Sequence, residues 1–321
     1  MPGMGTDELT GQVALVAGAS RGLGMLIARE LTSRGATVAI CARSAAELRR
    51  AAADLQEYGE PVRTFVCDVT DRAAVMSMVG QVDATLGPVD LLVNVAGIIE
   101  VGPLTSMSLG DFEQAMATMF WGPLHLTDAV LPAMRARRSG RIATITSIGG
   151  KIAVPHLLPY SAAKFAAVGY FEGLRAELAG TGVTVTTVVP GLMRTGSHLN
   201  ATFTGQQDRE YAWFSLGAAL PLVSMDAERA ARRIVSGMLR GRREILLSPV
   251  TKVATRLHGL APSTTIALME LMARMLPDDA SRPRRPALRV VDGKTADRQL
   301  DSSLLRRVTV LGRRAAARFN E

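Results

Sequence analysis

The stretch Gln12-Val-Ala-Leu-Val-Ala17, followed at once by Gly18-Ala-Ser-Arg-Gly-Leu-Gly24, decides how this chain folds. Its first part is a continuous apolar run, as expected of a strand covered on both faces. Its second part sets glycines at 18, 22 and 24, and a helical pattern opens at Met25. Glycines there allow a tight turn and close approach of the backbone to a ligand. The helix amino terminus behind them offers unpaired N–H groups and a partial positive charge. A strand, a glycine turn and a helix in that order form a cradle for the pyrophosphate of a dinucleotide. Gly18, Ser20, Arg21, Gly22, Leu23 and Gly24 are assigned to it.

Outward from this turn the chain alternates strand-like and helical stretches. Further apolar runs lie at Thr37–Ala42, Val62–Val66, Leu91–Val95, Arg141–Thr146, Thr184–Val189 and Glu244–Leu247. Seven strands separated by helices predict right-handed βαβ units and one doubly wound, seven-stranded parallel sheet of Rossmann type. Such a sheet binds its ligand at the carboxyl ends of its strands. The reading assigns residues 1–248 to this domain, with a substrate lid over about 195–225. A helical extension follows at 249–277, with two short helices broken by Gly259 and Pro262, and then a basic tail at 278–321 read as flexible, with a helix near Leu304–Phe319. Ser44-Ala-Ala-Glu47 reads as a capping box that opens one of the helices.

The chain has 321 residues, 48% hydrophobic and 21% charged, which is enough apolar material for a core and too little charge for global disorder. Two cysteines, Cys41 and Cys67, cannot build a disulfide framework. With no leader and no apolar run near ~20 residues, they are expected to be reduced thiols of a cytoplasmic protein. The net charge of +8 sits mostly in residues 278–321, where eleven Lys/Arg face six Asp/Glu. That tail lacks a stacking platform, and no nucleic acid is expected. No metal-ligand spacing occurs, so no metal is expected.

Tyr160-Ser-Ala-Ala-Lys164 places a phenol and an ammonium four residues apart, on one helical face. The phenol has an ordinary pKa near 10. A Lys charge ~4 Å away favours phenolate by ~4 kcal/mol at an effective dielectric of ~20. This is expected to lower the phenol value by up to about three and make Tyr160 a general acid/base. After the second strand, Ala42 stands where an acid would bind the 2′-hydroxyl of NAD, while Arg43, beside Ser44, and Arg21 can meet a 2′-phosphate. NADP(H) is therefore preferred over NAD(H).

These motifs, in this order, resemble the short-chain dehydrogenase/reductase family over roughly Leu9–Ser248. The resemblance implies an NADP(H)-dependent oxidoreductase moving hydride between the nicotinamide and a ketone or secondary alcohol. Ser147, thirteen residues before Tyr160, would hold the substrate oxygen, and Lys164 would also bind the nicotinamide ribose. It further implies that Asp68 and Val69 meet the adenine, and that Asn94, Ala96 and Gly97 support the sheet and line the adenosine ribose. Pro190, Gly191 and Thr195 would order the nicotinamide end.

Two departures stand out. Ala17 replaces the family's Thr, and Met119 replaces an Asn that holds a proton-relay water. Met119 motivates an alternative: a cofactor-binding regulatory or scaffold protein with weak or lost catalysis. Phe203, Tyr211, Trp213 and Phe214 either close over a small apolar carbonyl or alcohol or pack the lid on its own body. His156 and His198 read more naturally as structural than as substrate contacts. The Met/Leu-rich run Ile266–Leu276 has three readings: cover for the substrate entrance, subunit interface, or peripheral membrane contact. Homo-dimers or tetramers through the helices near Asp111–Arg137 and Tyr160–Ala179 are implied by the resemblance.

Overall fold

Strands buried on both faces read as unbroken apolar runs, and β1 (Val13–Ala17) is buried at all five positions. The structure is a computed structural model and describes residues 9–219, 224–277, 290–300 and 318. With β1 run β2 (Thr37–Ala42), β3 (Arg63–Val66), β4 (Leu91–Asn94), β5 (Gly140–Ile145), β6 (Val183–Val189) and β7 (Glu244–Leu246). They form one parallel sheet in the order β3-β2-β1-β4-β5-β6-β7. The expected seven-stranded doubly wound sheet is therefore present. Its order reverses between β1 and β4, which opens a crevice at their carboxyl ends.

The helices are α1 (Gly22–Thr32), α2 (Ala45–Leu55), α3 (Arg72–Leu86), α4 (Leu109–Met116), α5 (Gly122–Ala136), α6 (Leu158–Glu177), α7 (Ser197–Asn200), α8 (Gln207–Ala219), α9 (Ala227–Leu239), α10 (Pro249–Leu260), α11 (Pro262–Ala273) and α12 (Gly293–Leu300). Strand side chains alternate between faces. Ala14 and Val16 join Leu26, Ile27, Ile234 and Met238 in the core beneath α1 and α9. Leu15 and Ala17 join Val79, Leu126, Val130 and Phe171 beneath α3, α5 and α6. Fixing helices on both faces holds the strand ends, and hence the crevice, in place.

The segment read from sequence as a lid is held by a smaller sheet. Thr202–Phe203 pairs with Glu100–Val101 on one side and with Val291–Asp292 on the other. Gly293 N–H also donates to the Ala201 carbonyl at 2.9 Å, and α12 packs on α8. Residues 290–300, which the sequence reading placed in a flexible tail, thus form a strand and a helix against the lid. The helix expected near Leu304–Phe319 lies outside the described residues except for Arg318, 2.8 Å from Glu228. The break between α10 and α11 falls at Ala261–Pro262, Pro262 being tolerated in a first helical turn. Gly259 lies within α10.

Candidate active site

The glycine turn is built so that nothing but glycine fits. Gly18 has φ +84°, and a Cβ there would stand 2.5 Å from the Ala96 nitrogen. A Cβ on Gly24 would meet the Gly18 carbonyl at 2.1 Å. Arg21, the N-cap of α1, makes no side-chain cap, which leaves the helix amino terminus facing the crevice. These backbone features fit a dinucleotide pyrophosphate.

The crevice is a cavity of about 900 Å³. Of the residues assigned from sequence, Gly18, Ser20, Arg21, Gly22, Leu23, Gly24, Arg43, Ser44, Asp68, Val69, Ala96, Gly97, Ser147, Tyr160, Lys164, Pro190, Gly191 and Thr195 all line it. Asn94 is not among its lining residues. It is buried in the sheet, and its Nδ2 donates to Thr144 Oγ1 at 3.2 Å, so it braces β4 against β5. Among the described residues no His/Cys/Asp/Glu group could hold a metal.

Glu47 was not foreseen as part of the site. Ser44 caps α2 as expected, its Oγ accepting from Glu47 N–H at 3.3 Å. The Glu47 carboxylate, however, turns toward the glycine turn, accepting from Ser20 Oγ at 2.9 Å and Arg21 at 3.0 Å. The capping-box spacing concealed this second use.

Ser147 begins the short 3₁₀ turn Ile148–Gly150 and accepts from Gly149 N–H at 3.0 Å. Its hydroxyl also lies near enough to Tyr160 to favour the phenolate form. The neighbouring Thr146 only braces backbone, donating to the Val188 carbonyl at 2.6 Å. Lys164, one turn of α6 beyond Tyr160, donates to the Ile145 carbonyl at 2.8 Å. Its Nζ is 5.8 Å from the centre of the Tyr160 ring.

The expected direction of the phenol pKa is reversed. Burial pushes Tyr160 up from its ordinary value, and Ser147 only partly opposes this. Burial also pulls the Lys164 ammonium down to about 8. Desolvation, which penalises the charged form of each, is the largest influence on both groups. Glu100, on the crevice wall, is pushed up to about 7 by burial and, secondarily, by Asp111.

Met119 sits in a π-helical turn, Ala117–Trp121, between α4 and α5. It is buried with Ala115 and Ala163 beside Tyr160. The lid aromatics divide between their two readings. Phe203 and Tyr211 are buried in the lid's own core, while Trp213 and Phe214 reach the crevice. His156 pairs with the buried Glu210 at 2.9 Å, and Glu210 in turn accepts from Trp213 Nε1 at 2.6 Å. His198 is buried against Tyr211. Both histidines are structural.

Comparison with known proteins agrees with this geometry. The short chain dehydrogenase family model matches residues 12–204. A dehydrogenase/reductase SDR family protein 7-like from Anopheles gambiae is 34% identical over 84% of this chain and 85% of its own. Estradiol 17-beta-dehydrogenase 11 from Pongo abelii is 30% identical over 82% of this chain and 83% of its own. A metagenomic short-chain oxidoreductase, solved in complex with NADP, superposes with a TM-score of 0.62 at 29% identity, covering 75% of this chain and 98% of the other. The chain belongs to the short-chain dehydrogenase/reductase family of oxidoreductases.

Proposed function

We propose that this protein is an NADP(H)-dependent carbonyl reductase or alcohol dehydrogenase in which Tyr160 exchanges a proton with the substrate oxygen. The observation that carries this reading is the opening of Ser147, Tyr160 and Lys164 into the same crevice as the glycine turn. Bound nicotinamide supplies the carbon that gives or takes hydride. The chain supplies the rest. The upward shift of Tyr160 keeps a proton on its oxygen, which suits donation to a carbonyl. Ser147 orients that oxygen, and the buried Lys164 brings positive charge beneath it.

Preference for NADP(H) rests on Ala42, which repels no phosphate, on Arg21 and Arg43 lining the crevice, and on the likeness to an NADP-bound structure. The substrate is a small apolar ketone or secondary alcohol. Val154, Leu157, Trp213 and Phe214 on the crevice wall support this, as does the relative named for estradiol. Self-association through α4, α5 and α6 has support in the exposure of Leu109, Trp121 and Phe165. The two buried, unpaired cysteines suit a cytoplasmic location.

A panel of ketones and secondary alcohols with each cofactor tests the proposal. Turnover is expected with NADPH, and Tyr160→Phe is expected to lower kcat by about 10² or more while cofactor affinity stays the same. Buried Met119, a poor hydrogen-bond acceptor beside Tyr160, favours a second reading, a cofactor-binding protein with weak catalysis. Tight NADPH binding with no Tyr160-dependent turnover on any substrate would establish that reading instead.

A further inference from the structure

The hairpin formed by α10 and α11 violates the rule that governs the rest of the molecule. Elsewhere most Leu, Val and Met side chains fill the cores, but α11 has no buried residue although Glu270 is its only charged side chain. In α10, Thr251 alone is buried. Val253, Leu257, Leu260, Ile266, Leu271 and Met275 are each more than half exposed, Leu260 at 85% and Met275 at 81%. The hairpin is nevertheless well formed. Ser248 caps α10 by accepting from Thr251 N–H at 3.0 Å, and His258 Nδ1 meets Thr265 Oγ1 at 2.5 Å across the turn. A folded hairpin with apolar side chains on most of its surface marks an interface.

The charges on that surface identify what covers it. Lys252, Arg256 and Arg274 are exposed against the single acid Glu270. A second copy laid over this face would bring the same surplus of positive charge and no net complement to it. Phosphate headgroups complement them. Helices that pair an apolar surface with cations lie in the plane of a membrane interface. Among the described residues no helix is long and apolar enough to cross a membrane, so the contact would be a surface one.

We propose that the α10–α11 hairpin docks on an anionic lipid bilayer, its leucines and valines entering the interface and Lys252, Arg256 and Arg274 meeting lipid phosphates. Met272 of α11 lines the same crevice as Tyr160, so the docked surface adjoins the substrate entrance. Delivery of an apolar substrate from the bilayer through that entrance rests on the function proposed above, but the docking itself does not.

Co-sedimentation of the full chain with vesicles tests the docking. The wild type is expected to pellet with phosphatidylcholine vesicles containing phosphatidylglycerol, to pellet less with phosphatidylcholine alone, and to be partly released by salt. The charge-preserving double variant Leu260→Gln/Leu271→Gln is expected to bind vesicles at least about tenfold more weakly, with NADPH binding unchanged. The proposal fails if the wild type does not pellet at low salt. It also fails if the double variant pellets like the wild type, since charge alone then explains the binding. A shift of the double variant to a smaller assembly, by light scattering, would hand this face to a second copy and likewise overturn the proposal. Turnover and vesicle binding are separate readouts, so loss of either reading is seen without the other.

Discussion

Glu47 and Arg21 meet across the mouth of the glycine turn, Oε2 to Nη1 at 3.0 Å, and Ser20 shares the same carboxylate oxygen. The guanidinium expected to greet a 2′-phosphate therefore already has an anionic partner. A phosphate arriving there competes with that carboxylate. The Arg21 and Glu47 side chains remain 37% and 28% exposed, so water weakens the pair and the competition is modest.

Glu47→Gln is accordingly expected to tighten binding of 2′,5′-ADP by about two- to fivefold, the scale of an exposed ion pair, and to leave 5′-AMP nearly unaffected. Calorimetric titration of both nucleotides checks this. Equal change for the two would show that Glu47 does not act on the phosphate.

Lys164 makes stability depend on pH. Its folded value of about 8 lies below the ordinary 10.5, so between those values the unfolded chain holds a proton that the folded chain has released. The stabilisation from this group is fully present above 10.5 and is lost as pH falls through about 8. Lys164→Met removes the dependence. Its stability relative to wild type is expected to be most favourable below pH 8 and to decline by roughly 3 kcal/mol toward pH 10.5. Denaturant melts of both proteins across that range measure the difference.

Glu100 works in the opposite sense. Its folded value of about 7 exceeds the ordinary 4.5, so the neutral acid is the form the fold favours. That contribution is present below pH 4.5 and is lost as pH rises through 7. Glu100→Gln is expected to gain in melting temperature over wild type between pH 5 and pH 8, because it never carries the charge. A constant offset across that range would place the Glu100 titration elsewhere.

Met119→Asn puts a hydrogen-bonding side chain into the apolar cluster beside Tyr160. If proton supply limits turnover, kcat is expected to rise and the solvent isotope effect to shrink. Melting temperature is expected to fall, since burying an amide without full pairing costs about 1–3 kcal/mol. An unchanged isotope effect would remove proton supply from the rate-limiting step.

Much of the site was legible because its signals are local. A glycine turn must follow a strand, and a Tyr and a Lys four apart on a helix must share a face, so Gly18–Gly24 and Tyr160/Lys164 needed no tertiary knowledge. The partner of Asn94 was not legible in the same way, for its position beside Ala96 and Gly97 says nothing of a bond to Thr144 on the next strand. The direction of the Tyr160 shift was missed because burial is a property of the whole fold. Glu47 served one rule of helix ends so well that its other role went unread. The pairing of Val291 with Phe203 joins residues far apart in the chain, and no local pattern announces it.

That pairing changes how the end of the polypeptide should be handled. Ending an expression plasmid after residue 277 looks harmless on the linear map, yet it would delete one outer strand of the small sheet that holds Thr202–Phe203. Kinetic work on this protein is best begun with the far end left intact and any handle placed at the other terminus.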